Sequence, residues 1–548
     1  MLFMYHPEAR QSMLFNSYIF IFLFLPLALL GWYTLNHFRF YRTACAFISL
    51  MSLWFYAYFN KKYLLIILFS IAMNYGISAL LSLLEKKAAC DTARADSVPS
   101  HAVRRVFLVL GISANLALFF YFKYYDFFIE NINALFHADF TLRHILLPLG
   151  ISFFTFQQLS FLIDRCRGEA RHYPFLDYVT FVTFFPQLIA GPIVLYDEMM
   201  PQFADISRRR LNSDSFARGI QLFVTGLAKK VLLADILAIP ANYGFSMTYY
   251  MDTVTTWLVL LSYTLELYFD FSGYCDMAMG IGKMFNIELP INFNSPYQSA
   301  NIREFWQRWH ITLQRFFTRY VYFPLGGSRK GTARTILNIL IVFALSGLWH
   351  GAAWTFIAWG VIHGILMIWD DLGIMVPAEA GRNAAGQTPL NADPASPPHK
   401  HHYFLKKAPF LVIPRWLGQI LTMFFFMLSL IFFRSESMTY AIEMFRTLFR
   451  FRWPGYVFLT AQNLAPTELY VVNKFLSSRF PSLVQPAALI LWLAILAISS
   501  WIVFTRKNSV ALVKETTFSA RTVIFTVVLF VWCVISLSGV STFLYFNF

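Results

Sequence analysis

An all-α polytopic membrane protein is the fold class this sequence predicts, and three observations carry the prediction. Of 548 residues, 58% are hydrophobic and 13% are charged, whereas an ordinary soluble domain holds about 25% charged residues. Apolar runs of about 20 residues, each long enough to cross a bilayer, recur along nearly the whole chain. Where Pro and Gly interrupt such a run, as in FFPQLIAGPI from Phe184, the released backbone groups fit a re-entrant segment buried in protein. The net charge of +15 agrees with Lys and Arg gathering in cytoplasmic loops, and no nucleic acid partner is expected. Cys45, Cys90, Cys166, Cys275 and Cys533 are scattered, which supports neither a disulfide framework nor a thiolate metal site.

Taken in order, Ser17–Leu35 reads as a retained first span rather than a cleaved leader. Thr43–Tyr58, Lys62–Leu84 and Val106–Tyr125 follow as span candidates. The loop Glu85–Arg105 is basic and is assigned to the cytoplasm. Leu146–Ile163 leads into a second basic turn at Arg165 and Arg167, and Tyr178–Tyr196 is the interrupted run. Arg208, Arg209 and Arg210 mark a cytoplasmic surface. Phe216–Ile239 mixes apolar residues with Arg218, Lys229, Lys230 and Asp235, a pattern that fits an interfacial amphipathic helix. Thr253–Tyr274 is apolar yet carries Glu266 and Asp270 on one helical face. These carboxylates either line a reaction cavity or pair with Lys or Arg at the membrane edge. Gly273, Gly280 and Gly282 permit close helix packing.

Pro377–His402 is rich in Ala, Pro, Asn and Gly and reads as a solvated loop. Its His399, His401 and His402 have no other ligands nearby in sequence, so no metal is expected. Trp416–Phe433, Ala487–Phe504 and Arg521–Phe543 supply the last spans, with the mixed Phe451–Val484 placed outside the bilayer. The expectation is roughly ten to twelve spans plus re-entrant and interfacial helices. The membrane-embedded core covers 1–376, with its motif region at 145–370. A flexible loop over 377–402 and C-terminal helices of the same domain over 403–548 complete the chain.

Chemical capability concentrates in Asn301–Asp370. His350 sits in SGLWHG, deep in an apolar run, where an ionisable group faces a polar cavity or a partner. A neutral imidazole near physiological pH is the default base for an attacking hydroxyl. Gly347 and Gly351 flank it and are read as room for a substrate. The other reading of His350 is a buried histidine hydrogen-bonded to Ser346, one helical turn earlier. His310 lies among Arg303, Arg308, Arg315 and Arg319, with Trp306, Trp309, Phe316 and Phe317. That face is either an interfacial helix at headgroup level or the cytoplasmic mouth of a cavity whose arginines hold a phosphorylated donor. His363 is expected to be structural. A P-loop, HExxH, a nucleotide-binding glycine fingerprint and GxSxG are all absent from the sequence. What remains is group transfer inside a membrane.

Several segments together, in order, carry a family likeness: PLGISFFTFQQLSFLID from Pro148, FFPQLIAGPI from Phe184, YFDFSGYCDMAMGIG from Tyr268, NFNSPYQSANIREFWQRWHITLQRF from Asn292, YFPLGG from Tyr322, LSGLWHG from Leu345 and the terminal FLYFNF. With them the chain resembles the membrane-bound O-acyltransferases, in the bacterial branch that serves alginate and peptidoglycan O-acetylation and teichoic acid D-alanylation. The resemblance implies a multi-helix fold around a central tunnel. It makes His350 the catalytic histidine and His310 the second, polar position beside it. Arg303, Arg308, Trp309, Arg315, Asp270, Glu266, Ser346 and Trp349 are the surrounding candidates for substrate or donor contact.

The resemblance further implies an acyl donor in the cytoplasm, acetyl-CoA, with no bound cofactor, and residence in the bacterial inner membrane. The expected partners are membrane lipids and a periplasmic SGNH-type acetyltransferase or proteins of a polysaccharide-secretion complex. The expected acceptor is an exported polysaccharide such as alginate or cellulose, with peptidoglycan and teichoic acid as alternatives. A transporter or flippase of a polysaccharide precursor is the competing class, since basic mouths and buried polar residues suit it equally. A scaffold for polysaccharide export is a third reading.

Overall fold

The computed structural model describes residues 13–90, 101–169, 174–377, 411–451, 454–464, 469–537 and 543–544. His399, His401 and His402 lie outside the described residues. The first helices are α1 (Leu25–His37), α2 (Tyr41–Phe59), α3 (Lys61–Cys90), α4 (His101–Lys123) and α5 (Tyr125–Phe136). Next come α6 (Ile151–Arg167), α7 (Phe175–Thr183), α8 (Phe185–Leu188), α9 (Tyr196–Ala204), α10 (Ser213–Ala228), α11 (Asp235–Ser246) and α12 (Thr253–Met284). After them run α13 (Ile302–Arg308), α14 (Ile311–Phe317), α15 (Thr332–His350), α16 (Trp354–Leu372) and α17 (Arg415–Arg434). Met375–Pro377 and Leu411–Ile413 pair as two short parallel strands, with Met375 opposite Leu411.

Among the described residues, seven helices are long and apolar enough to cross a bilayer: Phe20–His37, Lys61–Leu84, Val103–Lys123, Thr332–His350, Trp354–Leu372, Arg415–Arg434 and Pro481–Thr505. Ala520–Ser536 is apolar but shorter. The protein is an all-α polytopic membrane protein. The interrupted run breaks as its breakers require: α7 ends at Thr183, α8 holds four residues, and the chain turns through Gly191. A Cβ at Gly191 would meet the Gln187 and Pro186 carbonyl oxygens at 2.9 Å, so the turn needs a residue without one.

The chain folds as two compact units. The first comprises Met1–Leu232, Asp270–Ile291 and Ser509–Phe548, the second Leu233–Phe269 and Asn292–Asn508. In the first unit a polar network joins α3, α4, α6 and α7. The Asn74 amide donates to Asn115 and Gln158 at 3.0 Å each, the Asn115 amide donates back at 2.7 Å, and the Tyr178 hydroxyl donates to Gln158. Lipid offers no hydrogen bonds, so such amides bind helices to one another.

Also in the first unit, α10 lies against the Asp270–Met284 part of α12 through paired glycines. A Cβ on Gly219 would come 2.7 Å from the Gly280 oxygen, and one on Gly226 would come 2.5 Å from the Gly273 oxygen. The close packing expected of Gly273 and Gly280 is therefore present, and its partner is α10. The amphipathic stretch expected over Phe216–Ile239 packs on α12 along its first part, up to Lys230, where two glycines let the backbones touch and two lysines find carboxylates. Lys229 Nζ meets Asp276 and Lys230 Nζ meets Asp270, each at 2.6 Å, with Lys230 and Asp270 both buried.

In the second unit α15 and α16 form a tight antiparallel pair. A Cβ on Gly347 would collide with the Phe356 carbonyl, and one on Gly360 with the Phe343 carbonyl. That approach fixes the end of α15, where His350 sits.

Candidate active site

The segment around His310 folds as two short helices with a break between them. At the start of α13, Asn301 caps the Glu304 N–H at 2.7 Å while the Glu304 carboxylate accepts from the Ala300 N–H at 2.9 Å. The helix ends at Trp309, which is extended, and His310 adopts the left-handed region with φ 46° and ψ 49°. A non-glycine residue held there costs on the order of 1–3 kcal/mol.

The extended segment at Asn292 holds that break in place. Its carbonyl accepts from the Ile311 N–H at 3.0 Å, and Asn294 donates its N–H to the Arg308 carbonyl at 2.9 Å. The Asn292 side-chain oxygen accepts from the Thr312 N–H at 3.2 Å and the Thr312 hydroxyl at 3.0 Å, and it lies 3.2 Å from His310 Nδ1. A backbone N–H can only donate, so the atom facing it is the amide oxygen, which can only accept. His310 Nδ1 therefore carries the proton, and in the neutral ring Nε2 holds the lone pair. Burial pushes this imidazole down to about 3, so it stays neutral.

His350 is the last residue of α15 and is buried. Its ring centroid lies 6.4 Å from that of His310, 4.9 Å from Trp349, 5.2 Å from Trp359 and 5.3 Å from Phe433. Trp349 is also 6.0 Å from His310. Two imidazoles thus meet in an aromatic enclosure, the setting in which a proton can be taken from a hydroxyl with bulk water excluded.

Residues 114–372 match the family model of MBOAT, the membrane-bound O-acyltransferase family. The chain is 38% identical over 463 residues to a peptidoglycan O-acetyltransferase of Helicobacter pylori, covering 79% of each protein. The chain belongs to the membrane-bound O-acyltransferase family. It is also 36% identical over 445 residues to the Pseudomonas aeruginosa protein named probable alginate O-acetylase AlgI, covering 80% of this chain and 75% of that one. A teichoic acid D-alanyltransferase of Streptococcus thermophilus is 27% identical over 259 residues, 44% of this chain and 61% of its own.

In this acyltransferase the remaining sequence candidates are distributed unevenly. Trp349 and Ser346 lie on α15 with His350, and both are buried. Trp309 is a core ring, stacked on Phe305 at 5.5 Å and packed on Phe426 at 5.3 Å. Arg303 pairs with Asp371, Arg308 pairs with Glu304 at 2.9 Å, and Glu304 also holds Arg415 at 3.0 Å. Arg315 is half-buried on α14. Asp270 is engaged by Lys230 in the first unit, while Glu266 is buried in the second. The carboxylate–cation pairing weighed for α12 is thus realised at Asp270, between buried side chains.

One expectation is corrected. Gly347 and Gly351 do not leave room for a substrate beside His350, because the Phe356 carbonyl and ring occupy those spaces. Their lack of a side chain serves helix packing. His363 is buried at the Ser429 hydroxyl, 2.9 Å away, and that hydroxyl donates onward to the Phe426 carbonyl. Its Nε2 is therefore the donor. Asn292 and Trp359 were missed as members of the site. Asn292 stands inside the NFNSPYQ motif, but only the fold brings it to His310.

Proposed function

We propose that this acyltransferase is an inner-membrane O-acetyltransferase, taking an acetyl group from cytoplasmic acetyl-CoA for O-acetylation of an exported polysaccharide. The observation that carries the reading is the pair of buried imidazoles, 6.4 Å apart by ring centroids, in a chain whose Helicobacter pylori and Pseudomonas aeruginosa relatives are named for acetyl transfer. His350 takes the proton of the acceptor hydroxyl as its oxygen attacks the thioester carbonyl. The tetrahedral intermediate then expels the thiolate, which recovers that proton as the C–S bond breaks. His310, with its lone pair on Nε2, orients the reacting groups beside His350. No cofactor is needed for this chemistry. A periplasmic SGNH-type acetyltransferase or a polysaccharide-secretion protein receives the group where the final acceptor lies outside the membrane.

Peptidoglycan is a second reading of the acceptor, favoured by the 38% identity to the Helicobacter pylori peptidoglycan enzyme. The test is ester content of secreted polymer and of purified sacculi, in wild type and His350→Ala at matched membrane expression. Loss of a general base lowers turnover about 100-fold or more, so acetyl ester falls below detection in one fraction while polymer yield holds. The fraction affected names the acceptor. Unchanged ester in both fractions refutes the catalytic role of His350. Collapse of polymer export itself favours the transporter reading.

A further inference from the structure

In the first unit a cavity of about 710 Å³ opens beside the end of α1, a volume typical of small-molecule sites. Its location follows from the chain: the apolar span Phe20–His37 ends at it, and His37, Arg39 and Tyr41 of the turn into α2 line it. Arg209 and Arg210 line it as well, and no described lining residue is acidic. The cavity shares no residue with the histidine site.

Its arginines differ in state. All five N–H groups of Arg209 are used by neutral acceptors. Nε and one Nη2 hydrogen go to the Phe203 carbonyl, Nη1 goes to Asn36 Oδ1 at 3.2 Å and the Tyr41 carbonyl at 3.0 Å, and Nη2 also meets Cys45 Sγ at 3.4 Å. The guanidinium also lies 5.2 Å from the Tyr41 ring and 5.6 Å from that of Trp32. Arg209 is therefore a fixed cation whose hydrogen bonds bring it no negative charge, with Asp177 the carboxyl that feels it at longer range, together with Arg42. Arg39 and Arg210 are exposed, and among the described residues neither side chain forms an ion pair. Arg39 is set in a left-handed turn, φ 62°, directly after the span ends.

We infer that this cavity binds a phosphate group, with Arg39 and Arg210 contacting its oxygens and Arg209 supplying fixed positive charge behind them. Guanidinium binds phosphate bidentately and with less hydration to lose than an ammonium. Two sources share that chemistry. One is the phosphodiester of an anionic phospholipid, because the end of a span lies at headgroup level. The other is a soluble phosphorylated molecule entering from water.

The test uses the full chain in mild detergent, with native mass spectrometry after exposure to equal phosphatidylglycerol and phosphatidylcholine, and calorimetric titration with inorganic pyrophosphate as the soluble probe. Arg39→Gln/Arg210→Gln is the variant, since both side chains are exposed; Arg209 is left intact because it holds α1, α2 and α9 together. A lipid source predicts retention of phosphatidylglycerol over phosphatidylcholine by on the order of tenfold, reduced to parity in the variant at unchanged melting temperature. A soluble source predicts saturable pyrophosphate binding, lost in the variant, without lipid preference. Lipid parity and no pyrophosphate binding by the wild type would overturn the inference, as would a variant that behaves like wild type in both arms.

Discussion

At His310 the backbone is held in a conformation that a non-glycine residue adopts at a cost, and one side chain compensates for it. The Asn292 oxygen accepts from both Thr312 donors and from His310 Nδ1, so it fixes the strained turn, the ring plane and the tautomer together. On the role proposed for His310, Asn292 acts as a positioning residue. In Asn292→Ala the imidazole loses the acceptor that fixes its proton, and a displaced group in a preorganised site costs up to about 100-fold in rate. The expected result in an acetyl-transfer assay is a fall in kcat of about 10- to 100-fold with KM changed little. Asn292→Asp keeps an accepting oxygen in place and is expected to recover part of the loss. A fall in KM-linked binding alone, or no recovery with Asp, contradicts the positioning role.

The elements show where sequence is informative and where it falls silent. Periodicity-free apolar runs located α1, α3, α4 and α17 well, because a membrane span is a property of local composition. The helix break at Pro186 and Gly191 was legible for the same reason. The packing roles of Gly219 and Gly226 were not, since a glycine announces freedom from bulk without naming what fills the space. The same ambiguity misassigned Gly347 and Gly351 to substrate access. Asp270 and Lys230 stand forty residues apart, and no spacing rule links residues on different helices. For the α15–α16 pair the consequence is testable. Gly360→Ala forces a methyl into the Phe343 carbonyl, a rigid neighbour, and overpacking of this kind costs about 1–3 kcal/mol. At Gly364 the nearest atom is the mobile end of the Leu340 side chain, 3.1 Å from a Cβ, so Gly364→Ala is milder. Thermal melts of the detergent-solubilised variants should separate by about one to three degrees, Gly360→Ala being lower. Equal melts would mean that the two helices do not approach through Gly360.

Across the whole molecule, the first unit gathers chain from three distant stretches, and its second stretch begins at Asp270. Asp270 accepts from Lys230 at 2.6 Å and from the Leu544 N–H at 2.9 Å, and Lys230 Nζ lies 4.7 Å from the Phe543 ring centroid. Tyr274, one turn on, touches Phe15 at 4.9 Å and Phe543 at 4.8 Å. One buried ion pair with its aromatic neighbours thus joins residues near the start, middle and end of the sequence. Removing one member of such a pair leaves an uncompensated buried charge and costs about 3–5 kcal/mol, whereas replacing both with apolar groups of similar volume is often close to neutral. Lys230→Met is therefore expected to reduce the yield of monodisperse protein sharply, and Lys230→Met/Asp270→Leu to regain most of it, with a smaller deficit from the lost Leu544 contact. Acetyl transfer by the double variant then separates two roles for Asp270. Retained activity in a well-folded double variant makes Asp270 an architectural residue of the first unit. Lost activity with normal folding returns it to the reaction, because the stability of the pair would no longer account for the defect.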